Sequence, residues 1–134
     1  MCPNTLMVDG FALVGRIRLL LVDRDPVERS RLRSTLEPRF LVVEAADVEQ
    51  AVKQLDEGLF EAILTEYDLG EHRTGVWLLE YALANREQTR RALMSSTWVP
   101  ELEDLEKRGV VWLFKLKPLD PVNFSAYFAD PWTK

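Results

Sequence analysis

The chain has 134 residues, 47% hydrophobic and 29% charged, with 17 Lys and Arg against 22 Asp and Glu. That length suits one compact domain and leaves room to bury a core without disulfides or a structural metal. The net charge of −5 excludes a basic nucleic-acid footprint, and a single cysteine, Cys2, excludes disulfide scaffolds and Cys-rich zinc sites and points to a reducing, cytoplasmic compartment.

Residues 1–15 stand outside the pattern that follows, either as a disordered lead or as a strand that pairs elsewhere; residues 16–134 form the domain. Phe11–Val14 is apolar, but Asp9 interrupts the approach and no Lys or Arg precedes it, which argues against a signal peptide. Apolar runs inside the domain, such as Leu19–Val22, fall far short of the roughly 20 residues that cross a bilayer, so no membrane span is expected. Strands are predicted at Ile17–Val22, Phe40–Glu44, Phe60–Thr65, Arg91–Ser95 and Val110–Phe114. They are continuous apolar runs rather than alternating ones, as suits parallel strands covered on both faces.

Helices are predicted between them at about 26–37, 48–57, 75–86 and 100–108, with a last one near 121–129. In the second, Val48, Ala51, Val52 and Leu55 form one stripe; Asp47 caps its start with Gln50 in the capping-box position, and Gly58 is expected to end it in the left-handed conformation. Asp120 and Pro121 announce the last helix, which Pro131 limits. Alternating strands and helices with right-handed crossovers predict a three-layer, doubly wound α/β sheet. Ligands of such sheets bind beyond the carboxyl ends of the strands. That rim collects Asp23-Arg24-Asp25 after the first strand, Glu66-Tyr67-Asp68 after the third, Ser95-Ser96 after the fourth and Lys117-Pro118 after the fifth.

Over about residues 16–129 the sequence resembles the receiver domains of two-component response regulators. The resemblance rests on Leu19-Leu20-Leu21-Val22-Asp23, on Phe60-Glu61-Ala62-Ile63-Leu64-Thr65 before an acid, on Thr74-Gly75 opening the third helix, and on Lys117-Pro118. It implies a flavodoxin-like five-stranded parallel sheet of order 2-1-3-4-5. It also implies an aspartate phosphoacceptor after the third strand and an acidic pair after the first that holds Mg²⁺. The strand pattern places the acceptor at residue 66, here Glu66, with one extra residue in the loop 69–74. The second acid of the pair is replaced by Arg24, with Asp25 one place further.

Magnesium demands near-octahedral oxygen ligation, to which a guanidinium adds only repulsion. The extra methylene of Glu66 shifts its carboxylate by roughly an ångström where productive geometry tolerates about half that. No metal site is therefore expected, with Asp23 a weak candidate, and Mg²⁺ binding is expected to be weak or absent. Opposite charges 4 Å apart near a surface attract by about 4 kcal/mol before desolvation. Arg24 is accordingly expected to fill the metal's place and, with Lys117, to hold Glu66 as a permanently charged acceptor.

By the same resemblance Lys117 is the phosphate-contacting lysine, Pro118 its following proline, often cis, Ser95 the switch hydroxyl and Phe114 the switch aromatic. Ser95 bonding only to local backbone, and Phe114 sitting in the core, are their plain alternatives. His72, the sole histidine, reads as a solvated loop residue. No GxxxxGK[ST], GxGxxG or GxSxG motif is present.

Arg29, Arg31 and Arg33 on the first helix, and Glu101, Glu103, Asp104 and Glu106 on the fourth, read as solvated faces or partner surfaces. Trp112, Tyr127, Phe128 and Trp132 are candidate anchors of a homodimer through the fourth helix, fifth strand and last helix. The expectation is an atypical, non-enzymatic signalling module whose partner is a protein such as a histidine kinase or an output protein. Two alternatives are a working acceptor at Asp68 or Asp25, and a small enzyme with Glu66 as general base and Lys117 as electrophile.

Overall fold

Six residues, Ile17–Val22, form the first strand, β1, and their alternating side chains divide the core in two. Leu19 and Leu21 pack on one side with Leu32 and Leu36 of α1 (Pro26–Leu36), Phe40 and Phe124. Leu20 and Val22 pack on the other with Val48 and Ala51 of α2 (Val48–Glu57) and Leu78, Leu79 and Ala82 of α3 (Gly75–Asn85). All four β1 side chains are fully buried. A strand buried on both faces is central, as its apolar run requires.

The computed structural model describes residues 16–70, 72–120 and Phe124. The remaining strands are β2 (Phe40–Ala45), β3 (Ala62–Glu66), β4 (Arg90–Ser95) and β5 (Val111–Phe114), with α4 (Leu102–Lys107) between the last two. All pairings are parallel and the order is β2-β1-β3-β4-β5, the flavodoxin-like arrangement anticipated from the sequence.

Most boundaries agree with the sequence reading to within one residue, and two do not. β3 begins at Ala62 rather than Phe60, because the Arg18 N–H is taken by the Glu61 side chain (2.8 Å) and not by a ladder carbonyl. α4 begins at Leu102 because Leu102 N–H closes a turn on Val99 C=O (3.1 Å) and Glu101 supplies no side-chain cap. Gly58 ends α2 in extended backbone (φ −144°, ψ 169°), not the left-handed conformation, since the chain runs directly on toward β3. Asp47 does cap α2, accepting from Gln50 N–H at 2.8 Å, while the Gln50 side chain reaches one residue past the box to Ala46 N–H. Of the last helix, Phe124 is helical and buried, its ring lies tilted against that of Phe40 with centroids 5.6 Å apart, and its N–H donates to Asp120 C=O. The rest of that segment, with Tyr127, Phe128 and Trp132, lies outside the described residues, as do residues 1–15.

Two positions fix how the rim is built. Gly75 donates its N–H to Tyr67 C=O (2.8 Å), and a Cβ at Gly75 would stand 2.2 Å from the Glu66 carbonyl oxygen. The helix therefore starts against the backbone of Glu66, and only glycine fits. Gly75→Ala is expected to cost about 2–3 kcal/mol in urea unfolding; an unchanged midpoint would show that the loop 67–74 moves aside freely. Arg29 ties the rim to the edge strand, donating to Asp23 C=O (2.7 Å) and to Glu44 of β2 (2.8 Å). Arg33 also reaches Glu44 (2.7 Å), so the Arg33 and Arg29 guanidinium groups hold that carboxyl below its ordinary range. Two of the three basic residues on α1 are thus employed inside the fold, and Arg31 pairs with Glu28.

Candidate functional site at the strand ends

Three elements deliver one charge each to a single buried point. β1 is followed at once by Asp23, which is 0% exposed; β3 ends in Glu66, 4% exposed; and β5 is followed at once by Lys115. Lys115 Nζ lies 2.6 Å from Glu66 Oε1 and 3.6 Å from Asp23 Oδ2. The other Glu66 oxygen accepts the Arg24 backbone N–H at 2.6 Å, and Asp23 Oδ1 accepts the Asp25 N–H at 2.9 Å. Asp23 Oδ2 has no hydrogen-bond partner.

Two acids and one ammonium share this point, so the acids compete for charge. Burial pushes the Asp23 carboxyl up to about 6; the Asp25 N–H opposes the rise and the neighbouring Glu66 adds to it. Burial alone would lower the Lys115 ammonium, but the hydrogen bond to Glu66 and the charge of Asp23 outweigh it and hold Lys115 above its ordinary value. The cluster is a plug in which one ammonium serves two acids.

The cation in the plug differs from both sequence expectations. Lys117 is exposed, two residues beyond Lys115 and past a turn closed by its own N–H to Phe114 C=O (3.1 Å). Each extended residue advances about 3.3 Å, so a lysine two places beyond the strand end overshoots the rim. The lysine that reaches the acid is the one immediately after β5, where Lys115 N–H also bonds Ser95 C=O (2.7 Å). Its signal in the sequence was its place right after the apolar run, in line with Asp23 after β1.

The second expectation put the Arg24 side chain against Glu66. It points outward instead, to Asp68 at 3.4 Å, with half or more of both side chains exposed, and only its backbone touches Glu66. The direct backbone bond is shorter and already buried, so the guanidinium gains nothing by turning in. Pro118 is not cis; no cis peptide bond occurs among the described residues.

Other predicted positions fall around the plug. Asp25 caps α1, accepting Val27 N–H at 3.0 Å ahead of Pro26. Asp68 turns its second oxygen to Gly70 N–H (2.9 Å). Ser95 donates to Thr97 C=O (2.6 Å) and accepts the Trp112 indole N–H (2.7 Å). Phe114 is 37% exposed and so is not a core residue. Trp112 is half-buried and packs against the α4-side core. His72 is exposed in the loop before α3. Beside the plug lies a cleft of about 360 Å³ with mixed polar and apolar walls, among them Arg24, Glu66, Tyr67, Asp68, Met94 and Thr97.

The donor set does not fit Mg²⁺. Both Glu66 oxygens already accept N–H groups, the one unpartnered oxygen, Asp23 Oδ2, faces an ammonium, and among the described residues no three His, Cys, Asp or Glu side chains converge.

No protein-family model and no curated protein matches the chain. Solved structures do match. A response regulator receiver protein from Pseudomonas putida is 26% identical, with 85% of this chain and 96% of that one covered at a TM-score of 0.70. One from Sinorhizobium medicae WSM419 is 17% identical at 0.74, covering 87% and 94%. Response regulator TrrA from Thermotoga maritima, solved in complex with Mg²⁺ and BeF, is 18% identical at 0.69, covering 82% and 96%. The chain thus has the fold of the receiver domains of response regulators, the CheY-like type.

Proposed function

We propose that this domain serves signal transduction by protein–protein contact, with its acceptor site held permanently closed and no phosphorylation step. The observation that carries the reading is Lys115 Nζ at 2.6 Å from Glu66 and 3.6 Å from Asp23, an internal cation standing between the two acids. A covalent acceptor needs a free oxygen in line with a metal-held phosphoryl group. Glu66 offers neither, both Asp68 oxygens are held, by Gly70 N–H and Arg24, and one Asp25 oxygen accepts Val27 N–H. Binding rather than catalysis, weak or absent Mg²⁺ affinity and a cytoplasmic setting belong to the same reading.

A kinase, an output protein or a second copy would meet the α4–β5 side, where Phe114, Trp98 and Leu116 are exposed. The net charge of −5 disfavours nucleic acid there. Incubation of the chain with a small-molecule phosphodonor and millimolar Mg²⁺ is expected to leave the intact mass unchanged. A gain of about 80 Da, one phosphoryl group, would refute the reading and restore Asp25, Asp68 or Glu66 as acceptor.

A further inference from the structure

Acids gather where the strands end, and arginines where they begin. Arg16 and Arg18 bracket the first residue of β1, Arg39 precedes β2, Arg86 caps the end of α3, and Arg90 and Arg91 open β4. Backbone bonds line them along one edge. Glu61 N–H donates to Arg18 C=O at 3.0 Å and Arg90 N–H to Glu61 C=O at 2.8 Å, across β1, β3 and β4. The Arg16 guanidinium reaches Glu37 C=O at 2.9 Å, in the turn that ends at Arg39. Neighbouring strands lie about 4.8 Å apart, so from β2 to β4 this edge spans roughly 15 Å.

Acids outnumber cations 22 to 17 in the chain, yet these arginines are left without them. None of Arg16, Arg18, Arg39, Arg86 and Arg91 forms an ion pair among the described residues, whereas Arg24, Arg29, Arg31 and Arg33 all do. The Nε atoms of Arg16, Arg18 and Arg86 are buried without an acceptor, and so is Arg91 Nη1. Arg91 is 8% exposed, and its bond to Arg108 C=O at 2.7 Å brings no counter-charge. A cation so placed is costly until an anion approaches it. The acids of the same end are partly engaged. Glu61 accepts the Arg18 N–H, Glu37 pairs with Arg33 and Asp56 accepts the Tyr81 hydroxyl, while Glu57 and Glu87 stand in the turns between. Arg18 lies over the Phe60 ring at 4.6 Å, and the preceding Leu59 is 68% exposed, an apolar point beside the guanidinium groups.

We propose that this amino edge of the sheet is a second docking surface, and that its occupant is an acidic protein segment whose carboxylates meet the arginines around Leu59. A guanidinium fork matches a carboxylate with two parallel bonds and is weakly hydrated, which suits arginine rather than lysine to the task. A short segment feels the local edge, because charge beyond about 8 Å is screened at physiological salt. A long polyphosphate also meets the rest of a chain of net charge −5. One exposed leucine offers too little apolar area to hold a bilayer.

Anisotropy of a fluorescein-labelled Glu-Asp-Glu-Leu-Glu-Asp-Glu peptide, titrated with the full chain, tests the surface. Binding is expected, and Arg39→Gln combined with Arg86→Gln should weaken it about fivefold or more, the loss of two exposed ion pairs. Lys53→Gln, a charge removed from an exposed position on α2, should leave it unchanged. Absence of binding, or an equal loss per charge in Lys53→Gln, would overturn the proposal. So would tighter binding of an oligothymidylate of equal charge or of phosphatidylserine vesicles, since the occupant would then be another polyanion.

Should the double variant fail to fold, amide shifts of the unaltered chain decide. Residues 16–18, 58–61 and 86–91 must move on peptide addition, and shifts confined to other residues overturn the surface. The edge lies at the far end of the strands from Glu66. A phosphoryl mass gain would defeat the functional reading and leave this binding as it is, so the two failures are separable.

Discussion

Replacing Lys115 by methionine is expected to destabilise the domain by about 3–5 kcal/mol at pH 7.5, the cost of removing one partner from a buried ion pair. Methionine preserves the stem and much of its packing, so the loss reports the charge. What remains is Glu66, held only by the Arg24 N–H, and Asp23, held only by the Asp25 N–H, two acids side by side with no counter-charge of their own. The exposed pair Lys107–Glu103, at 3.8 Å, shows the contrast: charges in water at that distance contribute at most about 1 kcal/mol. Lys117→Met belongs to that class and should fall within about 0.5 kcal/mol of the wild type. The Lys115→Met deficit should shrink toward pH 5, because Asp23, already pushed up to about 6, then carries a proton and one of the competing charges is gone. Urea unfolding of the three proteins at both pH values measures this. Equal stability of the Lys115 and Lys117 variants at pH 7.5 would remove the internal cation from the account of the site.

The same two lysines show where sequence reasoning succeeds and where it stops. The sheet order and the acids at the strand ends follow from periodicity, since Leu19–Val22 can only be a doubly covered strand and chain direction then puts Asp23 and Glu66 on one rim. The stripe Val48, Ala51, Val52, Leu55 likewise leaves little choice for α2, and its cap is found where Asp47 announces it. Which cation reaches the acids depends on a difference of two residues, smaller than the error with which a strand end is read from an apolar run. Charge alone points the Arg24 side chain at Glu66, but the Arg24 backbone N–H lies closer to that carboxylate and takes the contact. The Trp112–Ser95 bond was beyond the reach of the sequence, because it needs the β4–β5 register, and the strand pattern gives the partner of a residue only to within a slip.

Asp23→Asn is expected to change the pH dependence of stability more than its value at any one pH. In the folded chain the Asp23 carboxyl titrates at about 6 against an ordinary 3.8, so between those values the folded state holds a proton that the unfolded chain has released. Stability therefore falls as pH rises through this window and the full penalty is present above about 6. The rise is worth at most about 3 kcal/mol at the standard conversion. Asparagine carries no such proton, keeps an oxygen for the Asp25 N–H and places an amide toward Glu66. The stability of the variant relative to the wild type should thus climb by up to about 3 kcal/mol between pH 4 and pH 7.5. Glu44, held below its ordinary range by Arg33 and Arg29, works in the opposite direction, with stability lost as pH falls; it is the same in both chains and cancels from the difference. Thermal or urea unfolding of both proteins across that range gives the difference curve. A flat curve would mean that Asp23 stays ionised throughout, with the single Lys115 ammonium shared between two carboxylates. The plug would then carry a fixed net negative charge and not the near-neutral one that burial favours at low pH.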